Sequence, residues 1–259
     1  MKLGDVERVE CLIAASERIR FNCLPEIYIR SFPASAGGTE GDRIIYDTVA
    51  DEHRRTYGYP FDATPPADSA TSRMGEVLRR TIDHIARTDP LTFGEISALI
   101  SEIGVFESPT LNAGTSFPAF GLLYVRVLSG EQTWTAYLEH LVHEAAHHYL
   151  FGLWTFDPII TNEEAGRFKS PLRAEPRPLS GIFHAMFVLA RVIRSIRAFR
   201  ASGLYGQEIN DMSTQYNNAK NSDSFEKKFV EAAGVIAEQA RLSDFGRRLF
   251  QSARDMVGL

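Results

Sequence analysis

The stretch Tyr137-Leu138-Glu139-His140-Leu141-Val142-His143-Glu144-Ala145-Ala146-His147-His148-Tyr149-Leu150 decides how this chain is read. It contains neither Gly nor Pro, and its apolar residues recur at helical spacing, which predicts a helix over about 133–151. Side chains four residues apart on a helix stack on one face. His143 and His147 are therefore aimed at one point, and two neutral imidazoles so placed form a two-ligand metal clip. The five-residue pattern is short, and its bland alternative is a helix with a His-rich surface face. Five of the seven histidines fall between His140 and His184, which favours the metal reading.

Outward from this helix, Thr115 to Leu128 is rich in β-formers and ends at the turn signal Ser129-Gly130, which predicts a strand. Pro118 argues for an edge position at its start. Residues 152–180 carry four prolines and read as irregular. Gly181 to Arg200 reads as a long apolar helix. Two more helices are expected at about 205–220 and 223–257, the latter broken near Ser243. Upstream, the first two dozen residues read as an amphipathic helix and Glu26 to Arg30 as a short strand. Pro33 to Asp42 and residues 58–71 read as loops. Ser72 to Thr88 reads as helix, and so does Pro90 to Ser101. The expected fold is mostly α with a small antiparallel sheet (α+β), a single domain over residues 1–259 with a metal site on its central helix.

Bulk properties narrow the function classes. The chain has 259 residues, 44% hydrophobic and 24% charged, enough apolar material for a sizeable core. A formal net charge of −5 gives no reason to expect nucleic acid or an anionic membrane as partner. Cys11 and Cys23 are the two cysteines and form no CxxC pair, which argues against a disulfide scaffold. The charged N-terminus has no apolar signal core, and no uncharged apolar run of spanning length is present. The expectation is a cytoplasmic enzyme.

Two histidines do not complete a metal site. Glu163, in Asn162-Glu163, is one candidate third ligand, of the kind gluzincin peptidases use; its bland reading is a solvated acidic loop. A metzincin-type extension fails, because Leu150 and Leu153 stand where Gly and His are needed. His184, at the start of an apolar helix, is the third candidate and the favoured one. Arg173 and Arg177 lie on the Pro-stiffened segment Ser170-Pro171-Leu172-Arg173-Ala174-Glu175-Pro176-Arg177-Pro178 just before it. A guanidinium presents a rigid fork of donors that suits a carboxylate. The alternative for these arginines is an ion pair with Glu175 or Glu163.

Together, His143-Glu144-Ala145-Ala146-His147, Ser170-Pro171-Leu172-Arg173 and Pro176-Arg177-Pro178-Leu179-Ser180-Gly181-Ile182-Phe183-His184-Ala185 resemble the HExxH-type 2-oxoglutarate-dependent peptide β-hydroxylases of natural-product pathways. They also resemble the HExxH domain fused to some radical-SAM peptide maturases. The resemblance covers roughly residues 115–195. It implies Fe(II) held by His143, His147 and His184, with 2-oxoglutarate as cosubstrate and O2 consumed. It implies a peptide or carrier-bound amino acid as substrate, and makes Arg177, with Arg173, the candidate partner of the cosubstrate carboxylate or of a substrate carboxylate. Glu144 then orients a histidine or a bound water. Leu172 departs from the Trp expected in the maturase-linked relatives.

Two rivals stay open. A zinc metallopeptidase would use Glu144 as general base, with Glu163 or His184 as third ligand. An inactive domain would bind a peptide in the same cleft. Four further features have bland readings. His140 and His148 flank the motif as supporting or surface residues. Glu139–His143 and Glu144–His148 are helix-stabilising i, i+4 pairs. Arg191, Arg194, Arg197 and Arg200 form a solvated helix face. Phe117, Phe120, Tyr124, Phe183 and Phe187 are expected in the core rather than along a peptide groove.

Overall fold

A computed structural model describes residues 27–34, 38–128, 134–162, 164, 166–173, 175–206, 208–209 and 224–259. The expected N-terminal helix, Cys11, Cys23, Glu163 and most of the expected helix at 205–220 lie outside the described residues. In chain order the elements are β1 (Tyr28–Ser31), α1 (Glu40–Tyr57), α2 (Asp68–Thr88), α3 (Pro90–Leu99), β2 (Glu102–Phe106), β3 (Ala113–Thr115), β4 (Leu122–Arg126), α4 (Trp134–Trp154), α5 (Leu179–Ser202), α6 (Phe225–Gln239) and α7 (Asp244–Val257). The described chain is mostly helical with one small sheet.

That sheet is mixed, not antiparallel. Its order is β1-β2-β4-β3, with β1–β2 and β2–β4 parallel and only β3–β4 antiparallel. The long predicted strand resolves into β3, a turn at 116–121 and β4. Pro118 sits in that turn, and β4 is an inner strand flanked by β2 and β3. Strand β2, absent from the sequence reading, is a short apolar run buried on both faces, so it shows no alternation.

Sheet alternation sorts the core. Ile103, Val105, Leu123 and Val125 face one side, where they pack with α2, α3, α4 and α5. Phe106, Leu122 and Tyr124 face the other, against Phe32, Phe61 and Val49 of α1. Gly104 permits the close approach of Phe32, whose Cβ lies 2.6 Å from where a Gly104 Cβ would stand. A separate cluster joins the end of α4 to α5, α6 and α7.

Helix ends follow local chemistry. Thr39 and Asp42 form a reciprocal capping box on α1, and Gly58 closes it in the left-handed region. Thus α1 begins inside the stretch read as loop. Asp89 accepts the Thr92 amide at 3.1 Å to start α3. The expected break near Ser243 is present: Ser243 caps α7 after α6 ends at Gln239.

Helix α5 is long and apolar enough, by length and composition, to cross a membrane, yet most of it is buried against its neighbours. Its arginines divide, with Arg197 and Arg200 exposed as expected and Arg191 and Arg194 drawn against the fold. Arg191 is buried, lies 3.3 Å from Glu95 of α3, and has its guanidinium 3.7 Å from the Phe187 ring centroid. Arg194 donates to Thr92 at 2.6 Å and lies near the same Glu95, while Arg197 reaches Glu226 and the Val257 carbonyl. These pairs lock α5 to α3, α6 and α7. Removing one member of a buried pair leaves a charge without its partner, at a cost of roughly 3–5 kcal/mol. Glu95→Ala is accordingly expected to lose about 3 kcal/mol in urea unfolding, far more than an exposed carboxylate such as Glu40.

Candidate functional site

Helix α4 is buried on nearly every side. Tyr137, Leu138, Leu141, Val142, Ala145, Ala146 and Leu150 pack into the core. Its one open strip carries Glu139, His140, His143, Glu144, His147 and Phe151, which line a cavity of about 510 Å³. The i, i+4 ladder Glu139, His143, His147 and Phe151 puts these groups in one row.

The opposite walls come from distant sequence. Glu52, His53 and Tyr57 of α1, Gly114 of β3 and Tyr124 of β4 contribute, as do Arg173, Arg177 and the first turns of α5, including His184. His143, His147, His184, Glu144, Arg173 and Arg177 are thereby brought to one cavity. Glu139, His53, Tyr57 and Tyr124 complete it; the sequence reading gave none of these four a role there. Glu139 had a detectable signal, its i, i+4 spacing to His143. The α1 residues had none, because their part in the site depends only on how α1 packs over the sheet.

Two contacts organise the imidazoles. The Glu139 carboxylate accepts His143 Nδ1–H at 3.0 Å and meets His140 Nδ1 at 3.1 Å. Across the α4–α5 interface, His147 Nδ1 and His184 Nδ1 are 3.0 Å apart with their rings nearly parallel. Trp154 stacks on His184 at 5.3 Å, and Phe151 lies 5.4 Å from it. The expected Glu144–His148 pair does not form between side chains. His148 is fully buried, outside the cavity lining, and its Nδ1 lies 3.3 Å from the Glu144 carbonyl.

Burial sets the charge states. Desolvation alone pushes His184 down to about 4. Desolvation, reinforced by the nearby His143 and Arg173, holds His147 well below the usual histidine range. Burial opposes the charged form of His143 too, but the Glu139 hydrogen bond and charge outweigh it and raise its pKa. Burial would raise Glu139, yet its bonds to His140 and His143 hold it well below the usual carboxylate range. Glu144 has no such bonds, and desolvation raises it against the pull of His143 and His140.

The arginines are placed by local structure. Phe168 and Arg177 exchange two backbone hydrogen bonds, of 2.7 and 2.8 Å, that close the loop between them. Gly181 lets the Arg177 stem lie on the first turn of α5; a Cβ there would stand 3.1 Å from Arg177 Cβ. The Arg173 and Arg177 guanidiniums both approach the Tyr57 ring, each 5.5 Å from its centroid. Among the described residues neither arginine has a carboxylate within ion-pair distance.

The donor chemistry fits a transition-metal ion: three imidazoles on one cavity, two kept neutral by burial and the third oriented by a carboxylate. Their present spacing is that of hydrogen-bonded rings. Among the described residues no group of three or more His, Cys, Asp or Glu stands in a metal-holding arrangement. Ligation through Nδ1 of His147 and His184 would require their mutual hydrogen bond to give way. No protein-family model and no curated protein matches this sequence.

The burial of His184 has a measurable consequence. The unfolded imidazole takes a proton near 6.5, whereas the folded one resists it down to about 4. Between those values the unfolded chain binds more protons, so this stabilising contribution is complete above about pH 6.5 and is lost as pH falls toward about 4. His143, with a raised pKa, acts in the opposite sense, so the His184 share is read by difference. His184→Leu is expected to lose less stability than wild type between about pH 7 and pH 5 in urea unfolding; equal losses would contradict the burial.

Proposed function

We propose that this chain is a non-haem Fe(II)- and 2-oxoglutarate-dependent oxygenase that hydroxylates an amino-acid β-carbon in a peptide or carrier-bound substrate. The observation that carries this reading is the meeting of His143, His147 and His184 with Arg173 and Arg177 on one cavity, although they come from two helices and a loop. A hydrolytic zinc site needs no guanidinium pair, whereas a dicarboxylate cosubstrate gains from one.

His143, His147 and His184 would hold the metal, and Glu139 would keep His143 Nδ1–H engaged so that Nε2 is its ligating nitrogen. Arg177, fixed by its backbone bridge to Phe168, would bind the distal carboxylate, and Arg173 would add positive charge beside it. The Fe(II) and 2-oxoglutarate pair, when bound, would let O2 act as the oxidant: the cosubstrate would give two electrons and leave as succinate and CO2, and the substrate C–H would give the other two as it becomes C–OH. Trp154 and Phe151 pack against the His184 ring and would shield that side from water. Glu144, its pKa raised by desolvation, can hold a proton at the cavity wall.

That same buried Glu144 supports a second reading, a zinc hydrolase in which it serves as general base. Glu163, the other third ligand considered for it, lies outside the described residues.

Anaerobic addition of Fe(II) and then 2-oxoglutarate is expected to produce a weak visible charge-transfer band. His184→Ala should abolish it with the fold retained. Arg177→Ala should raise the 2-oxoglutarate concentration needed by about tenfold to a hundredfold, as loss of a charge-assisted hydrogen bond does. No band, together with stoichiometric zinc and peptide cleavage lost in Glu144→Ala, would replace the oxygenase by the hydrolase. Independently of which metal is bound, Glu139→Gln is expected to weaken metal affinity by about 10–100-fold, measured by competition with a chelating dye.

A further inference from the structure

Five aromatic residues were expected in the core, and two are not there. Phe183, Phe187 and Tyr124 are buried, but Phe117 and Phe120 are 48% and 49% exposed. Both stand in the turn before β4 and lean on the second half of α4. The Phe117 ring meets Phe151 edge-on at 5.7 Å, and the Phe120 ring meets His148 at 5.1 Å. Phe151 in turn lies over His147 at 6.1 Å and beside His184. The aromatic contacts thus run unbroken from the candidate ligands to the surface.

A second cavity, of about 260 Å³, opens along this path, lined by Phe117, Phe151, Trp154 and Thr155. None of these carries a charge. Phe151 lines the large cavity as well and is therefore a wall common to both, beside His147 and His184. The volume falls below the roughly 300–1,000 Å³ of pockets that enclose whole small ligands. It suits one large side chain. Exposed aromatic rings grouped in this way mark a surface that gains by being covered.

We propose that this groove is a side-chain subsite. It takes an aromatic or large aliphatic side chain flanking the residue presented to the imidazoles, so the substrate peptide carries a bulky apolar residue beside the modified one. This inference rests on the peptide-substrate reading above. The flanking residue would supply binding energy away from the reacting carbon and hold that carbon in place.

Trp154 reports on the groove directly, and Trp134 is the only other tryptophan in the sequence. Blocked Gly-Phe-Gly and Gly-Ser-Gly peptides are titrated against the full chain with no metal or cosubstrate added, following tryptophan emission, with Trp154→Phe identifying the signal. Gly-Phe-Gly is expected to saturate the change at about tenfold lower concentration than Gly-Ser-Gly, as burial of most of a phenyl ring implies. Phe117→Ser should abolish that preference and Phe117→Leu should retain it. Equal responses to the two peptides, no saturable response, or a preference that survives Phe117→Ser would overturn the proposal. So would an emission change on protein concentration alone, which would mean that a second copy covers the groove. Binding here needs no turnover, so a missing charge-transfer band would remove the oxygenase reading without touching this result.

Discussion

The contact between His147 of α4 and His184 of α5 is the constraint on which the site depends. Two imidazoles from different helices meet there at 3.0 Å, at a part-buried position. Such a contact needs at least one neutral ring to accept the hydrogen bond, and burial favours the neutral form of both. Everything that presses α4 against α5 therefore also sets the protonation of the site. Trp154 and Phe151 close over His184 from α4. Arg191 and Arg194, pinned to Glu95, hold the next turns of α5 in place.

One turn away the balance is reversed. Glu139 lies at the same buried wall but carries two histidines on its carboxylate. Its charge is compensated there, and it draws positive charge onto His143. Glu144, five residues on, has no bonded partner and is pushed toward its neutral form. A single helical strip thus holds one ionised carboxylate and one carboxylate poised to keep its proton. The difference comes from hydrogen bonding and not from depth. Opposed states of neighbouring carboxylates are a recurrent basis for acid–base chemistry.

The helices around the motif were legible because their apolar periodicity is local. α2, α3, α4, α5 and the broken pair α6–α7 all fall close to where spacing puts them. Strand β2 was not legible, since a run buried on both faces looks like any short apolar segment. Helix α1 was masked by the Gly-rich stretch before it, although Thr39 and Asp42 hold a capping-box pattern in plain view. The antiparallel expectation failed because strand direction depends on the path of the connections. Three helices carry the chain from β1 back to a parallel β2, and no residue in either strand encodes that.

What the sequence by itself determined is the clip: His143 and His147 share a helix face because helical geometry leaves no alternative, and Glu139 joins them by the same four-residue rule. It also marked His184, Arg173 and Arg177 as the downstream candidates. Their convergence was decided by the tertiary structure alone. Packing of α5 across α4 places His184 on His147, and the Phe168–Arg177 backbone bridge carries the arginines to the Tyr57 ring. Packing of α1 over the sheet supplies Glu52, His53 and Tyr57 as the facing wall. The physical reason is range. Backbone hydrogen bonding repeats every few residues and can be read from spacing, whereas burial, which sets both the cavity and its charges, is a property of segments far apart in the chain.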